Sequence, residues 1–325
     1  ENKVKKIIYL DQNKWIDLAR SINSPKEYPK YQKVANLILE KVKKGDWVFP
    51  ISSMHVFETT LREEPKSRER LVNTMVEISN AYSIKSFIDV QKDELLNAFF
   101  KIFAPEKVKS IEAIVKNPLI PIGAEEFYID IKNNTITKEI KQELINIVKK
   151  NFKRIIDDKE ILNMIFNNHN KELTKDLISG DEEIVEQLKK DRINLLNLPK
   201  ENMYNIFLIK RFWEIATKIC KINIQELFSM NDLESICKDK DKLINMLEDA
   251  PSVNVTTKLT YQLLKDRERP IQKHDDRDIT FLSTAIPYCD VVITEKTWVH
   301  LIKLEKLDKK YSTIVKKDLN YLLEI

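Results

Sequence analysis

Glycine is almost missing from this chain of 325 residues, with only Gly45, Gly123 and Gly180 present. That scarcity removes three motif classes at once, because a G-x-G-x-x-G dinucleotide turn, a Walker loop and a G-x-S-x-G nucleophile elbow all need closely spaced glycines. Cysteine is also sparse. Cys220, Cys237 and Cys289 are odd in number, widely spaced and without a C-x-x-C pair. They argue against a disulfide framework and a zinc site and fit a reducing compartment. No apolar run approaches the ~20 residues that span a bilayer, and the Lys-rich opening lacks the apolar segment of a signal peptide. The expectation is a soluble, cytoplasmic protein that makes no membrane contact. Since the sequence opens at Glu1, a preceding targeting segment stays open. An excess of one charge is absent as well. Lys+Arg 55 against Asp+Glu 51 leaves a formal +4, so any basic footprint on a nucleic acid has to be local.

What is present is enough apolar material for a sizeable core, 42% of residues, in a length that suits one large domain or two ordinary ones. Val4 to Leu10 is a short apolar run rich in β-branched residues, the pattern of a buried parallel strand, and it leads straight into Asp11-Gln12-Asn13. Helical spacing follows from Trp15 to Ala19. Val34, Leu37, Ile38 and Val42 read as an amphipathic helix closed by Gly45. Trp47 to Ile51 is the next strand, and Ser52-Ser53 cap a helix carrying His55 and Glu58. The charged stretch Arg62 to Arg70, with Pro65 inside it, reads as an exposed turn.

From about Lys85 to Pro270 the texture changes to apolar residues every three or four positions among Lys, Glu and Asn, with no convincing strand. The last part returns to alternating elements. Asp275-Asp276-Arg277-Asp278 opens the helix Ile279 to Ala285, which Pro287 ends; Val291 to Thr294 is a strand leading into Glu295; and a short helix and a strand around Thr313 to Val315 follow. The fold class expected is therefore α/β, a parallel sheet formed by both chain ends and interrupted by a large all-helical insertion. The expected division is 1–85, 86–269 and 270–325, with the insertion covering or narrowing a groove.

Acids at the carboxyl ends of buried strands matter because ligands of open α/β sheets sit in the crevice beyond those ends. Carboxylates that converge there repel one another, and a bound cation relieves the repulsion.

Four short segments, each on its expected element, carry a family resemblance. Tyr9-Leu10-Asp11-Gln12-Asn13 resembles the D-x-N opening of PIN-domain nucleases, and Ser53 to Glu58 resembles their second acidic position. Asp278 to Ala285 resembles the third acidic segment, and Val291-Val292-Ile293-Thr294-Glu295 resembles the strand leading to Thr and a fourth acid, here directly after the Thr. The wider string through Ala285 to Asp290 is similar to a group of bacterial PIN-like proteins; the middle of the chain is unmatched. The resemblance implies a divalent-metal-dependent ribonuclease that releases 5′-phosphate and 3′-hydroxyl ends. A role as a toxin or antiviral defence effector, a homo-oligomer and a regulatory protein partner are compatible with it.

On this reading Asp11, Glu58, Asp278 and Glu295 are the catalytic acids, and with Asp275 they hold Mg²⁺ or Mn²⁺, hard ions that prefer oxygen ligands. Asn13, His55 and Thr294 are candidate substrate contacts. RNA is the favoured partner over DNA. The alternatives are a structure-selective DNA nuclease of the flap type and a degenerate PIN-like scaffold that binds without cutting.

Simpler readings stand beside each residue. Asp11 is equally a helix cap, Glu58 an i,i+4 partner of Arg62, and at least one of Asp275, Asp276 and Asp278 a cap favoured by the helix dipole. Asp290 lies at the wrong end of its strand for a ligand. A local turn bond explains Asn13, a buried strand-end hydroxyl explains Thr294, and His55 and His274 are equally surface or core histidines. The basic runs Lys149-Lys150-Lys153-Arg154, Lys189-Lys190-Arg192 and Lys210-Arg211-Phe212-Trp213 read as phosphate contacts or, more simply, as solvated helix faces with Phe212 or Trp213 in the core.

Overall fold

The apolar runs at the two ends of the chain become neighbouring strands. The computed structural model describes residues 5–122, 124, 137–155, 157–167, 171–222, 236 and 239–325. Strand β1 (Lys6–Leu10) runs parallel to β2 (Trp47–Val48) on one side and to β5 (Val291–Ile293) on the other, and β6 (Ile314–Lys316) runs parallel to β5. The order is β2-β1-β5-β6. The chain therefore leaves β1 towards one edge and β5 towards the other, which places a topological switch point between the carboxyl ends of β1 and β5. Strand alternation sorts the side chains onto two faces. Ile8, Leu10, Val291 and Ile293 enter one core, while Tyr9, Val292 and Val315 enter the other.

Helices α1 (Gln12–Asn23), α2 (Gln32–Lys43) and α4 (Pro65–Ser79) cover the first face, together with Leu162 and Phe166 of α7 (Asp158–Asn167). Gly45, at φ 73°, turns the chain out of α2 into β2. The stretch expected to be an exposed turn is instead the start of α4. Glu64 caps it by accepting from the backbone N–H groups of Lys66 and Ser67, and Pro65 occupies the first helical position, where its missing N–H costs nothing.

The second face is built largely from the middle of the chain. α5 (Phe87–Phe103), α8 (Lys171–Leu196), α9 (Met203–Glu214), α10 (Lys240–Glu248) and α11 (Pro251–Lys265) contribute Leu95, Phe99, Leu188, Phe212, Met246 and Leu259 to the same core as Tyr9, Val292 and Trp298. α11 lies along α12 (Asp275–Tyr288), the helix that leads into β5. Buried Glu94 of α5 fastens this layer: it accepts from Ser252 N at 2.7 Å and Tyr288 Oη at 2.6 Å, so one carboxylate caps α11 and ties it to α12.

The middle segment is not all helical. β3 (Tyr82–Ile84) and β4 (Ile114–Lys116) form an antiparallel pair, and Ile51 bridges Ser83, so the pair continues the chain beyond β2. Each strand is three residues long, too short for a period-2 signal to register. The rest of the regular structure described between 86 and 269 is helical. α12 starts at Asp275 and carries Pro287 in its last turn, so it is longer at both ends than Ile279 to Ala285. Cys220 and Cys289 are buried and unbridged; Gly123 and Cys237 lie outside the described residues. Among the described residues no helix is long and apolar enough to cross a membrane.

Candidate functional site

The switch point collects the acids. Asp11 follows β1 directly, with extended backbone angles (φ −61°, ψ 154°), and stands at the N-cap of α1. Its N–H donates to Ile293 O at 3.0 Å, which extends the β1–β5 ladder by one step. Its carboxylate does not bond across the first turn as a cap would. Oδ2 accepts instead from the buried Thr294 hydroxyl at 3.1 Å, so the residue ending one strand is held by the residue ending its neighbour. Next along the chain, Glu295 takes the N-cap position of α13 (Lys296–Leu304) and accepts from Asn13 Nδ2 at 2.7 Å. Asn13 and Thr294 thus hold acids of the cluster in place, as hydrogen-bond donors.

Asp278 sits in the first turn of α12, and the buried Trp298 indole donates to its Oδ2 at 2.7 Å. Glu58 is half-buried on α3 (Ser53–Thr60). Charge couples these groups. Burial foremost, then the Glu295 carboxylate, raises Asp11 to about 6 against the pull of Thr294. Burial, then Asp11, raises Asp278 to about 8, with Glu58 and Glu295 adding to it and the Trp298 bond opposing it. Tyr9 beneath them is held protonated by burial and by the charges of Asp11, Glu58 and Asp278. Tyr9, Asp11, Asp278, Phe281, Leu282 and Thr294 line one narrow crevice at this point, too tight for a water molecule.

Four expected acids are therefore electrostatic neighbours. They are not a closed cage: among the described residues no three His, Cys, Asp or Glu side chains stand together at ion-holding distance.

Asp275 is used elsewhere. Its Oδ1 pairs with Arg269 and its Oδ2 accepts from Gln272 N at 2.7 Å, so both oxygens serve the start of α12. Asp290 accepts from Ile7 N at 2.7 Å at the opposite end of the sheet.

His55, expected as a substrate contact, is turned into the core. It is buried, stacked on Phe281 with ring centroids 6.1 Å apart and 4° between planes, and both ring nitrogens are engaged. Ser52 N donates to Nδ1 at 3.0 Å, which fixes the proton on Nε2, and Nε2 donates to Leu10 O at 2.9 Å. Burial pushes this imidazole down to about 4, so it stays neutral. The histidine links the end of β1 to the helix bearing Glu58, as does Gln12, whose Nε2 donates to Thr59 Oγ1 at 3.0 Å. His274 is exposed, 3.3 Å from Arg277 Nη1 through its Nδ1.

The basic runs give little towards this site. Lys189 pairs with Glu186, Arg192 donates to Leu263 O, Arg211 pairs with Glu214, and Phe212 is core. The side chains of Lys149, Lys150, Lys153 and Arg154 lie outside the described residues.

Two residues here were not read from sequence. Trp298 and Gln12 carry no local pattern that separates them from ordinary core positions; the fold brings Trp298 to Asp278, and it brings Gln12, beside Asp11 in sequence, to Thr59.

Compared with known proteins, the chain matches no family model, no curated protein and no solved structure.

Proposed function

We propose that the chain is a divalent-metal-dependent nuclease acting on RNA, with Asp11 and Asp278 at the centre of its site and Glu58 and Glu295 beside them. One observation carries the reading. Two carboxylates from opposite ends of the sequence meet at the switch point of a parallel sheet, and each is made harder to ionise by burial and by the surrounding acids. Maintaining such a pair is costly, and function is a common reason for the cost.

The donor set fits a hard cation. It consists of carboxylate oxygens alone, and burial first, then the neighbouring acids, raises their proton affinities, a cost that Mg²⁺ or Mn²⁺ would offset. Asp11 and Asp278 would hold the ion, with Glu58 and Glu295 supporting. When bound, such an ion makes a coordinated water more acidic and neutralises charge developing on a phosphodiester. The protein's own residues orient the acids. Thr294 and Trp298 donate to Oδ2 of Asp11 and of Asp278 respectively, which fixes the direction of each carboxylate. Asn13 directs Glu295 towards the same edge. Products with a 5′-phosphate and a 3′-hydroxyl are part of the proposal.

Labelled RNA and DNA incubated with the pure protein, with Mn²⁺ or with EDTA, test the reading. The expected result is RNA cleavage that EDTA stops and that Asp11→Asn lowers by about 100-fold or more. DNA cut in preference to RNA favours the flap-type alternative, and RNA binding without cleavage favours the scaffold.

A further inference from the structure

A second cavity carries a charge pattern of its own. It has a volume of about 250 Å³ and is lined by Arg20, Arg62 and Arg70, with Glu27, Tyr28 and Glu64 among its other walls. Arg20 lies in the last turn of α1, Arg62 follows α3, and Arg70 belongs to α4. Three guanidinium groups on one cavity ordinarily draw carboxylate partners. Among the described residues none of the three is within ion-pair distance of a carboxylate.

The local bonds sharpen the imbalance. Glu64 is committed as the cap of α4 through Lys66 N and Ser67 N. Arg20 stacks over Tyr28 at 5.5 Å. Arg62 is fixed by donating Nη2 to Ser67 Oγ at 2.9 Å, while its buried Nε has no partner. Burial, then the charge of Arg20, weakens its hold on its proton.

We infer that this cavity is a binding site for a phosphate group, with Arg20, Arg62 and Arg70 as its ligands. Planar guanidinium forks match phosphate oxygens in pairs, and Arg62 is already oriented by Ser67. The volume, about 250 Å³, falls below the ~300–1,000 Å³ of sites for drug-sized molecules and has room for a phosphate group and a small part of what carries it. The site is separate from the acids. Asp11 directly precedes α1 and Arg20 lies in its last turn, towards opposite ends of a 12-residue helix about 18 Å long. The phosphate can belong to a free phosphomonoester or to a nucleic-acid backbone; the chemistry of recognition is the same.

Titration of the whole protein with inorganic phosphate, in EDTA at constant ionic strength and followed by calorimetry, tests the inference. Saturable binding is expected, weakened by about tenfold or more in the double variant Arg20→Gln, Arg70→Gln. Both side chains are exposed, so the fold is retained, which circular dichroism checks. Competition by a 5′-mononucleotide alone assigns a phosphomonoester, competition by an oligonucleotide without terminal phosphate assigns a backbone, and competition by neither assigns the free anion. The inference does not rest on the cutting reading, and Asp11→Asn should bind phosphate as wild type does. No saturable binding, or equal binding by wild type and the double variant, overturns it.

Discussion

Asp278 is the residue on which most of the site's electrostatics falls. Its carboxyl is raised to about 8, Asp11 to about 6 and the capping Glu94 to about 7. Each is harder to ionise folded than unfolded, so its contribution to stability is complete below about pH 4 and fades as pH climbs through those values. His55 works in the other direction. Held down to about 4, it contributes above about pH 6.5 and loses that contribution as pH falls. In EDTA the melting temperature should therefore decline from pH 6 towards pH 9, and Asp278→Asn should flatten that decline. An unchanged slope in the variant would remove Asp278 from the cluster. Trp298→Phe keeps most of a buried ring and deletes the donor to Oδ2. The Asp278 carboxyl should then titrate at higher pH still, read by carboxyl carbon NMR, and a downward shift would refute the role given to the indole.

At the scale of elements, His55 joins β1 to α3, and its loss is predicted to be felt in both. His55→Ala removes two hydrogen bonds and a stacked ring from a closed site, a cost of about 3 kcal/mol by urea unfolding. A change below about 0.5 kcal/mol would mean the linkage carries nothing. The same elements mark what the sequence made legible. β1 and β5 could be read because buried parallel strands are apolar runs bounded by turn chemistry, and Asp11, Thr294 and Glu295 followed from their position at strand ends. Asp275 and Asp278 looked alike at the head of one helix. What separates them is Arg269 and Gln272 N on one side and Trp298 on the other, and those contacts depend on loop geometry and on a helix later in the chain. His55 illustrates the same limit. Its spacing from Glu58 was visible, but its burial beneath Phe281 came from packing with α12. Pro65 read as a turn because a proline at the first position of a helix leaves the same local trace.

For the whole molecule, the decisive property is that β5, from the end of the chain, lies directly beside β1 from its start. Removing residues 289–325 takes away β5 and β6 and leaves Ile8 and Leu10 without neighbours on that side. That truncation should yield an aggregating chain without cooperative unfolding, measured by circular dichroism and proteolysis; a cooperative, soluble product would show that the termini fold independently. The middle of the chain was legible as helical, but not as the layer covering one face of the sheet. Helical spacing identifies an apolar stripe and not the surface it meets.

The account turns on Asp11 and Asp278 forming one cation-binding cluster. A calorimetric titration of wild type, Asp11→Asn and Asp278→Asn with Mn²⁺ at neutral pH tests this most directly. Saturable binding by wild type, lost in both variants while each melts cooperatively, is the predicted result. Absence of Mn²⁺ binding by wild type, or binding by either variant as tight as wild type, would contradict it.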